Sequence, residues 1–134
     1  MSENRPKTIF CDIDGTLVKH MLPSEATKPN AKMEPLPGTI EKLLEWEKKG
    51  YHIVLTTGRR NTARKQTEQQ LSEAGIIYDQ LVMGFGGGVR YLINDMKEDG
   101  RTGTAFAVNL RRNTEGIKDL KIWKTTMKKD RGVL

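Results

Sequence analysis

Asp12 and Asp14 stand two residues apart at the end of a short apolar run, followed at once by Gly15 and Thr16. A second apolar run ends in Thr56-Thr57-Gly58-Arg59-Arg60, and a third in Asn94-Asp95, with Asp99 four residues later. A packed core does not place acids at strand ends. Carboxylates brought together repel one another unless a cation joins them. Asp12, Asp14 and Asp95 would make an oxygen-rich cluster with no His or Cys partner, which suits a hard cation. Mg²⁺ is the usual occupant where phosphate is also bound. A carboxylate beside such a cation can attack phosphorus and form an aspartyl-phosphate, because the metal offsets the repulsion between two anions. A second carboxyl two residues on can protonate the leaving oxygen and then activate water. Gly15 permits the tight turn that brings backbone N–H groups to phosphate. A Thr hydroxyl and a basic side chain would hold the other oxygens.

These groups need a frame that brings strand ends to one edge. Residues 7–13 are apolar, with β-branched and aromatic members, and read as a buried parallel strand that Asp14-Gly15 breaks. The stretch from Leu17 to Pro37 holds Pro23, Pro29, Pro35 and Pro37 and shows no clear period. It reads as an ordered loop, or two short strands, lying over the domain. Pro37-Gly38-Thr39 opens a helix to about Lys49, with Ile40, Leu43, Leu44 and Trp46 or Glu47 on its buried stripe and Gly50 as its stop. Residues 51–56 read as a second strand. A helix capped by Asn61 or Thr62 runs to Ala74 and stops at Gly75. A third strand falls within Ile76 to Met83, the glycine link Gly84 to Gly88 follows, and fourth and fifth strands are expected at residues 90–94 and 104–108. A last helix is expected over residues 115–128, with Ile117, Leu120, Trp123 or Lys124, and Met127 on one face. Alternating strand and helix is the rhythm of βαβ units. The expected fold is α/β: a single Rossmann-like open parallel sheet of about five strands, order 3-2-1-4-5, with helices on both faces and no cap domain. Such sheets bind ligands outside the carboxyl ends of their strands.

The residues 9–18, Ile-Phe-Cys-Asp-Ile-Asp-Gly-Thr-Leu-Val, and 53–59, Ile-Val-Leu-Thr-Thr-Gly-Arg, closely resemble the first two motifs of the haloacid-dehalogenase-like phosphatase superfamily. The Pro37-Gly38 helix start is similar too, and Leu92-Ile93-Asn94-Asp95 resembles the fourth motif, with Asn where a second acid is common. The resemblance spans roughly residues 7 to 110. It implies that Asp12 is the nucleophile and a metal ligand. It implies that Asp14 is the general acid/base and gives its backbone carbonyl to the metal. Thr57 would bind the transferring phosphoryl group, with Thr56 as its fallback and Gly58 in the same loop, and Asp95 would complete the Mg²⁺ site. The family's Lys or Arg before the fourth strand falls here on Gly86-Gly87. Its nearest substitutes are Lys97, favoured because it lies on the loop side of the strand end, and Arg90. Arg59 is expected on the substrate phosphate or its leaving group.

Blander readings compete at several positions. Cys11 reads as a small core filler, His20 and His52 as a rim and a strand residue, and Trp46 and Trp123 as core. Asp99 fits a supporting acid or a solvated loop acid equally. Asp12 to Gly15 lacks the later acids of a calcium loop. Gly84 to Gly88 reads as a connector before a substrate loop, because Val89 breaks the dinucleotide pattern.

The chain's 134 residues read as one domain, residues 1–134, with a core over about 7–127 and a frayed basic tail. Lys118, Lys121, Lys124, Lys128, Lys129 and Arg131 read there as a solvated helix face. The net charge of +6 favours anionic partners without choosing among them. One cysteine excludes an internal disulfide framework, and no apolar run approaches a membrane span or a secretory signal. A cytoplasmic setting is expected, with no membrane partner. The expected function is a Mg²⁺-dependent phosphomonoesterase acting on a small phosphorylated substrate, a sugar phosphate ahead of nucleotide or nucleic-acid phosphate ends. Without a cap, specificity would fall to the Leu17 to Pro37 flap, the glycine link or a partner in a homo-oligomer. A catalytically weak basic binding module is the competing class.

Overall fold

A computed structural model describes residues 5–122. Three parallel strands form its sheet: β1 (Thr8–Asp12), β2 (His52–Thr56) and β3 (Gln80–Val82), in the order β1-β2-β3. Between them run a short helix α1 (Pro23–Ala26), helix α2 (Thr39–Lys48), a 3-10 turn at Asn61–Ala63 and helix α3 (Arg64–Ala74). The α/β class and the order of the first three strands are those expected. Register does the positioning: Asp12 pairs with Thr56, and Thr56 with Val82, so the ends of β1 and β2 lie side by side.

The core is built where the sequence is most apolar. β2 buries Ile53, Val54 and Leu55, and the turn after β1 buries Ile13, Leu17 and Val18. α2 packs against β2 and buries Thr39, Leu43 and Trp46, a spacing of four and three that makes one helical face. Leu44, expected on that stripe, is 41% exposed and lies on the outer side. The Thr39 hydroxyl donates to the Leu17 carbonyl at 2.7 Å, which ties the start of α2 to the turn after β1. At the rim of the sheet, Asp79 extends the ladder: Ile53 N–H donates to its carboxylate at 2.7 Å, and His52 lies 3.8 Å from the same oxygen.

The chain divides into two compact units. Pro6–Gly87 and Leu110–Leu120 belong to one, and Gly88–Asn109 to the other. In the first unit, the Leu17 to Pro37 stretch is ordered, as expected. Val18 bridges to Asp14 and to Pro35, and α1 fills the centre. The returning segment Leu110–Leu120 completes this unit. Asn113 N–H donates to the Gly15 carbonyl at 2.9 Å, His20 N–H donates to the Asn113 side chain at 2.7 Å, and Ile117 is fully buried. The helix expected from residue 115 is not formed up to residue 122; turns closed by Leu120 N–H to the Ile117 carbonyl take its place. Gly116 weakens a first turn by about 1 kcal/mol relative to Ala, and burial of Ile117 decides the path instead. Trp123 and the basic positions beyond it lie outside the described residues.

In the second unit, residues 90–94 and 104–108, expected as the fourth and fifth strands, form no strand. Ile93 is 88% exposed, and among the described residues no ladder bonds form along either run. A strand exists only when a partner takes its backbone bonds; the regular bonding in this unit lies in the turn between the two runs. Lys97 N–H donates to the Thr102 carbonyl at 3.1 Å. The Asp99 carboxylate accepts from Arg101 N–H at 2.8 Å, Thr102 N–H at 2.9 Å and the Thr102 hydroxyl at 2.6 Å. Asp99 is therefore a turn former here, and these bonds pull its pKa down to about 2.

Candidate active site

The ends of β1 and β2 hold the site. Asp12 is the last residue of β1 and is exposed to solvent at the sheet edge. Ile13 turns inward and is fully buried, which throws Asp14 back toward the same edge. Gly15 follows at φ +88°, a left-handed turn closed by its N–H on the Val18 carbonyl at 2.7 Å. The stem of Arg112 lies over this glycine, with Cγ 3.1 Å from where a Cβ would stand.

At the end of β2, Thr57 is buried, with its N–H on the Val82 carbonyl at 3.0 Å and its hydroxyl accepting from Arg59 N–H at 3.1 Å. Gly58 approaches the glycine link so closely that a Cβ would stand 2.3 Å from the Gly86 carbonyl oxygen. Gly84 N–H donates to the Arg59 carbonyl at 2.8 Å, so the link and the β2 loop form one surface.

Arg59 carries the densest polar network. Its Nε donates to Asp14 Oδ2 at 2.9 Å and its Nη2 to Asp14 Oδ1 at 2.8 Å, a two-pronged pair. Its Nη1 donates to Gln70 Oε1 at 2.7 Å and to Thr67 Oγ1 at 3.2 Å. The Arg59 and Asp14 side chains are 10% and 15% exposed. The guanidinium expected on the substrate thus grips the second acid, and its other face is held by α3. Thr67 and Gln70, both buried, were not legible as site residues from sequence; their polar types on an inward helix face are the only signal that could have pointed to them.

Asp12, Asp14, Thr56, Thr57, Gly58 and Arg59 come together in one unit. Asp95, Lys97 and Arg90 belong to the other and are described there by themselves. Asp95 is exposed and its carbonyl accepts from the Thr104 hydroxyl, which also takes a bond from Asn94 Nδ2 at 2.8 Å. Arg90 Nη1 donates to the Gly88 carbonyl. Among the described residues, no three His, Cys, Asp or Glu side chains gather as a metal cluster. The donors at the first loop are nonetheless all oxygen, and Mg²⁺ takes only one or two carboxylates, keeping waters and substrate phosphate as its remaining ligands. Asp12 and the Asp14 backbone carbonyl fit that demand.

Burial pushes the Cys11 thiol up to about 12, with the Asp12 charge as the smaller cause, so it is an inert core group beside Asp12. His52 lies at the rim with Asp79, and the His20 backbone holds the Asn113 turn.

A family model described as the polynucleotide kinase PNKP phosphatase domain matches residues 6–103. No curated protein matches the chain. Among solved structures, one of a Pnkp1/Rnl/Hen1 complex shares 31% identity, with a TM-score of 0.48, over 63% of this chain and 30% of that one. The D,D-heptose 1,7-bisphosphate phosphatase of B. bronchiseptica, complexed with magnesium and phosphate, shares 19% identity, with a TM-score of 0.45, over 60% of this chain and 51% of that one. A Vibrio cholerae protein shares 22% identity, with a TM-score of 0.48, over 60% of this chain and 72% of that one. The chain thus spans about 30% of the length of the Pnkp1-complex chain it matches. The family model runs through both strand ends that carry the acids and Thr57, and the chain belongs to the polynucleotide kinase PNKP phosphatase domain family of the haloacid-dehalogenase-like superfamily.

Proposed function

We propose that this chain hydrolyses phosphomonoesters at polynucleotide ends through an aspartyl-phosphate on Asp12. The family match across residues 6–103 carries this reading, because the family is that of a polynucleotide kinase. The +6 charge and the absence of a helical cap between Asp14 and Thr57 support a bulky anionic substrate.

The chemistry follows from the residues. The Asp12 carboxylate attacks phosphorus, and the ester oxygen leaves with a proton from Asp14. Water then gives its proton to Asp14 and attacks the acyl-phosphate, which releases inorganic phosphate and restores Asp12. Arg59 fixes the plane of the Asp14 carboxyl through both oxygens, and each oxygen keeps a second lone pair for the proton in transit. The Thr57 hydroxyl, which accepts from Arg59 N–H and keeps its own proton to donate, would hold a phosphoryl oxygen. A Mg²⁺ held by the Asp12 carboxylate and the Asp14 carbonyl would neutralise charge between nucleophile and substrate.

The test is hydrolysis of p-nitrophenyl phosphate with Mg²⁺, with chelator, and by Asp12→Asn. Turnover that vanishes with chelator and with Asp12→Asn is expected; equal rates in wild type and variant would refute the enzyme reading. A panel then compares oligonucleotides phosphorylated at either end with sugar phosphates. A higher kcat/KM on an oligonucleotide end is expected. The reverse order would hand the substrate to sugar phosphates, and salt-sensitive oligonucleotide binding without hydrolysis would mark a binding module.

A further inference from the structure

Gln70 sits at the junction of three elements and belongs to none of the motifs. It lies on the inner face of α3 and is 2% exposed. Its Oε1 accepts from Arg59 Nη1 at 2.7 Å. Its Nε2 donates to the Ala26 carbonyl at 2.9 Å and to the Ala31 carbonyl at 3.4 Å. One buried amide therefore joins the flap on one side to the guanidinium that holds Asp14 on the other. Gln66 Nε2 donates to the Lys28 carbonyl at 2.8 Å, and a polar cleft of about 230 Å³ opens between Pro29–Lys32 and the same helix face. Amides on α3 thus reach three carbonyls of the flap, those of Ala26, Lys28 and Ala31. A buried amide with donor and acceptor both committed has a fixed orientation, because flipping it would set two donors, or two acceptors, against each other.

We propose that Gln70 is a positioning residue that couples the flap to the orientation of the Asp14 carboxyl through Arg59. The inference rests on the reading of Asp14 as the general acid/base. When substrate shifts the flap, the Ala26 and Ala31 carbonyls move the Gln70 amide. Arg59 then follows at Nη1 and turns the carboxyl it grips. A capless enzyme thereby senses an occupied flap at its acid.

Leaving groups separate this role from a merely structural one. An alkyl phosphate needs a proton on its leaving oxygen, whereas p-nitrophenolate leaves without one. In Gln70→Leu, kcat on an alkyl phosphate should fall about 10- to 100-fold, part of the ~10²–10⁴ that a general acid supplies, while p-nitrophenyl phosphate loses about threefold or less and both KM values hold. Gln66→Leu, which loosens the flap from a residue that does not touch Arg59, should bias the two substrates the same way by a smaller factor. In both variants, amide exchange at Thr27, Lys28 and Ala31 should quicken. Equal loss on both substrates in Gln70→Leu, or no loss on either, would overturn the proposal while leaving the phosphatase reading intact. Wild type no faster than Asp12→Asn on p-nitrophenyl phosphate would instead remove the reading beneath it. If Gln70→Leu does not fold, Gln70→Glu carries the test: it keeps the acceptor for Arg59 but sets a carboxylate against the Ala26 and Ala31 carbonyls. Faster flap exchange with the alkyl-selective loss then supports the coupling, and faster flap exchange without it refutes it.

Discussion

α2 and α3 flank the same site and are held by opposite physics. α2 buries Leu43 and Trp46, and its one buried polar side chain, Thr39, is paired with the Leu17 carbonyl. α3 buries Thr67, Gln70 and Leu71, and two of the three bond to Arg59. α2 is anchored by area removed from water, which is non-directional and tolerant of small shifts. α3 is anchored by charge-assisted bonds whose geometry is exacting. The difference divides labour: one helix packs on the sheet, and the other holds the guanidinium that grips Asp14.

Breaking the polar side should have the largest effect. Arg59→Met leaves Asp14 without its partner in a nearly buried setting, which costs about 3–5 kcal/mol of stability, and turnover of the folded enzyme should fall ~10²-fold or more. Urea melts and single-substrate kinetics read the two losses separately. If turnover survives, Arg59 does not orient Asp14. Breaking the apolar side should cost stability alone. Trp46→Ala removes about 3–5 kcal/mol, visible as a lower urea midpoint, while turnover per folded molecule stays within about twofold. A parallel fall in turnover would erase the contrast between the helices.

Smaller changes sharpen it. Gly58→Ala places a methyl 2.3 Å from the Gly86 carbonyl, and the shift this forces should cost about 1–3 kcal/mol and displace Thr57, which thermal melts and phosphate affinity would reveal. Leu44→Gln, on the exposed side of α2, should change the urea midpoint by less than about 0.5 kcal/mol. Cys11, held protonated far above neutral pH, should resist iodoacetamide at pH 8 in the folded enzyme and react once unfolded. Asp99 adds a local pH dependence. Its folded pKa lies below the unfolded value, so its contribution is full above about 3.8 and is lost as pH falls toward about 2, and faster amide exchange at Arg101 and Thr102 should mark that window.

The spacing of Asp12, Asp14 and Gly15, the Thr56-Thr57-Gly58-Arg59 loop, and the β1, α2, β2, α3, β3 order were all legible in the sequence, because each rests on local rules. An apolar run marks a strand, a turn residue ends it, and strand ends gather at one edge. What the sequence left open depends on partners distant along the chain. Residues 90–94 carry every local mark of a strand and find no ladder to join among the described residues. Residues 115–122 carry the spacing of a helix, and the burial of Ile117 takes them elsewhere. Arg59 shows why side-chain roles resist such reading. Its motif fixes it at the site, whereas its contacts depend on which oxygens lie within reach once the sheet has closed. By itself the sequence determined which groups stand ready for chemistry, because the acids, the hydroxyls and their spacing are properties of residue types. Only the tertiary structure decided that the guanidinium holds Asp14 and that a glutamine 56 positions further along supports it (70 − 14), since a hydrogen bond is set by distance in space.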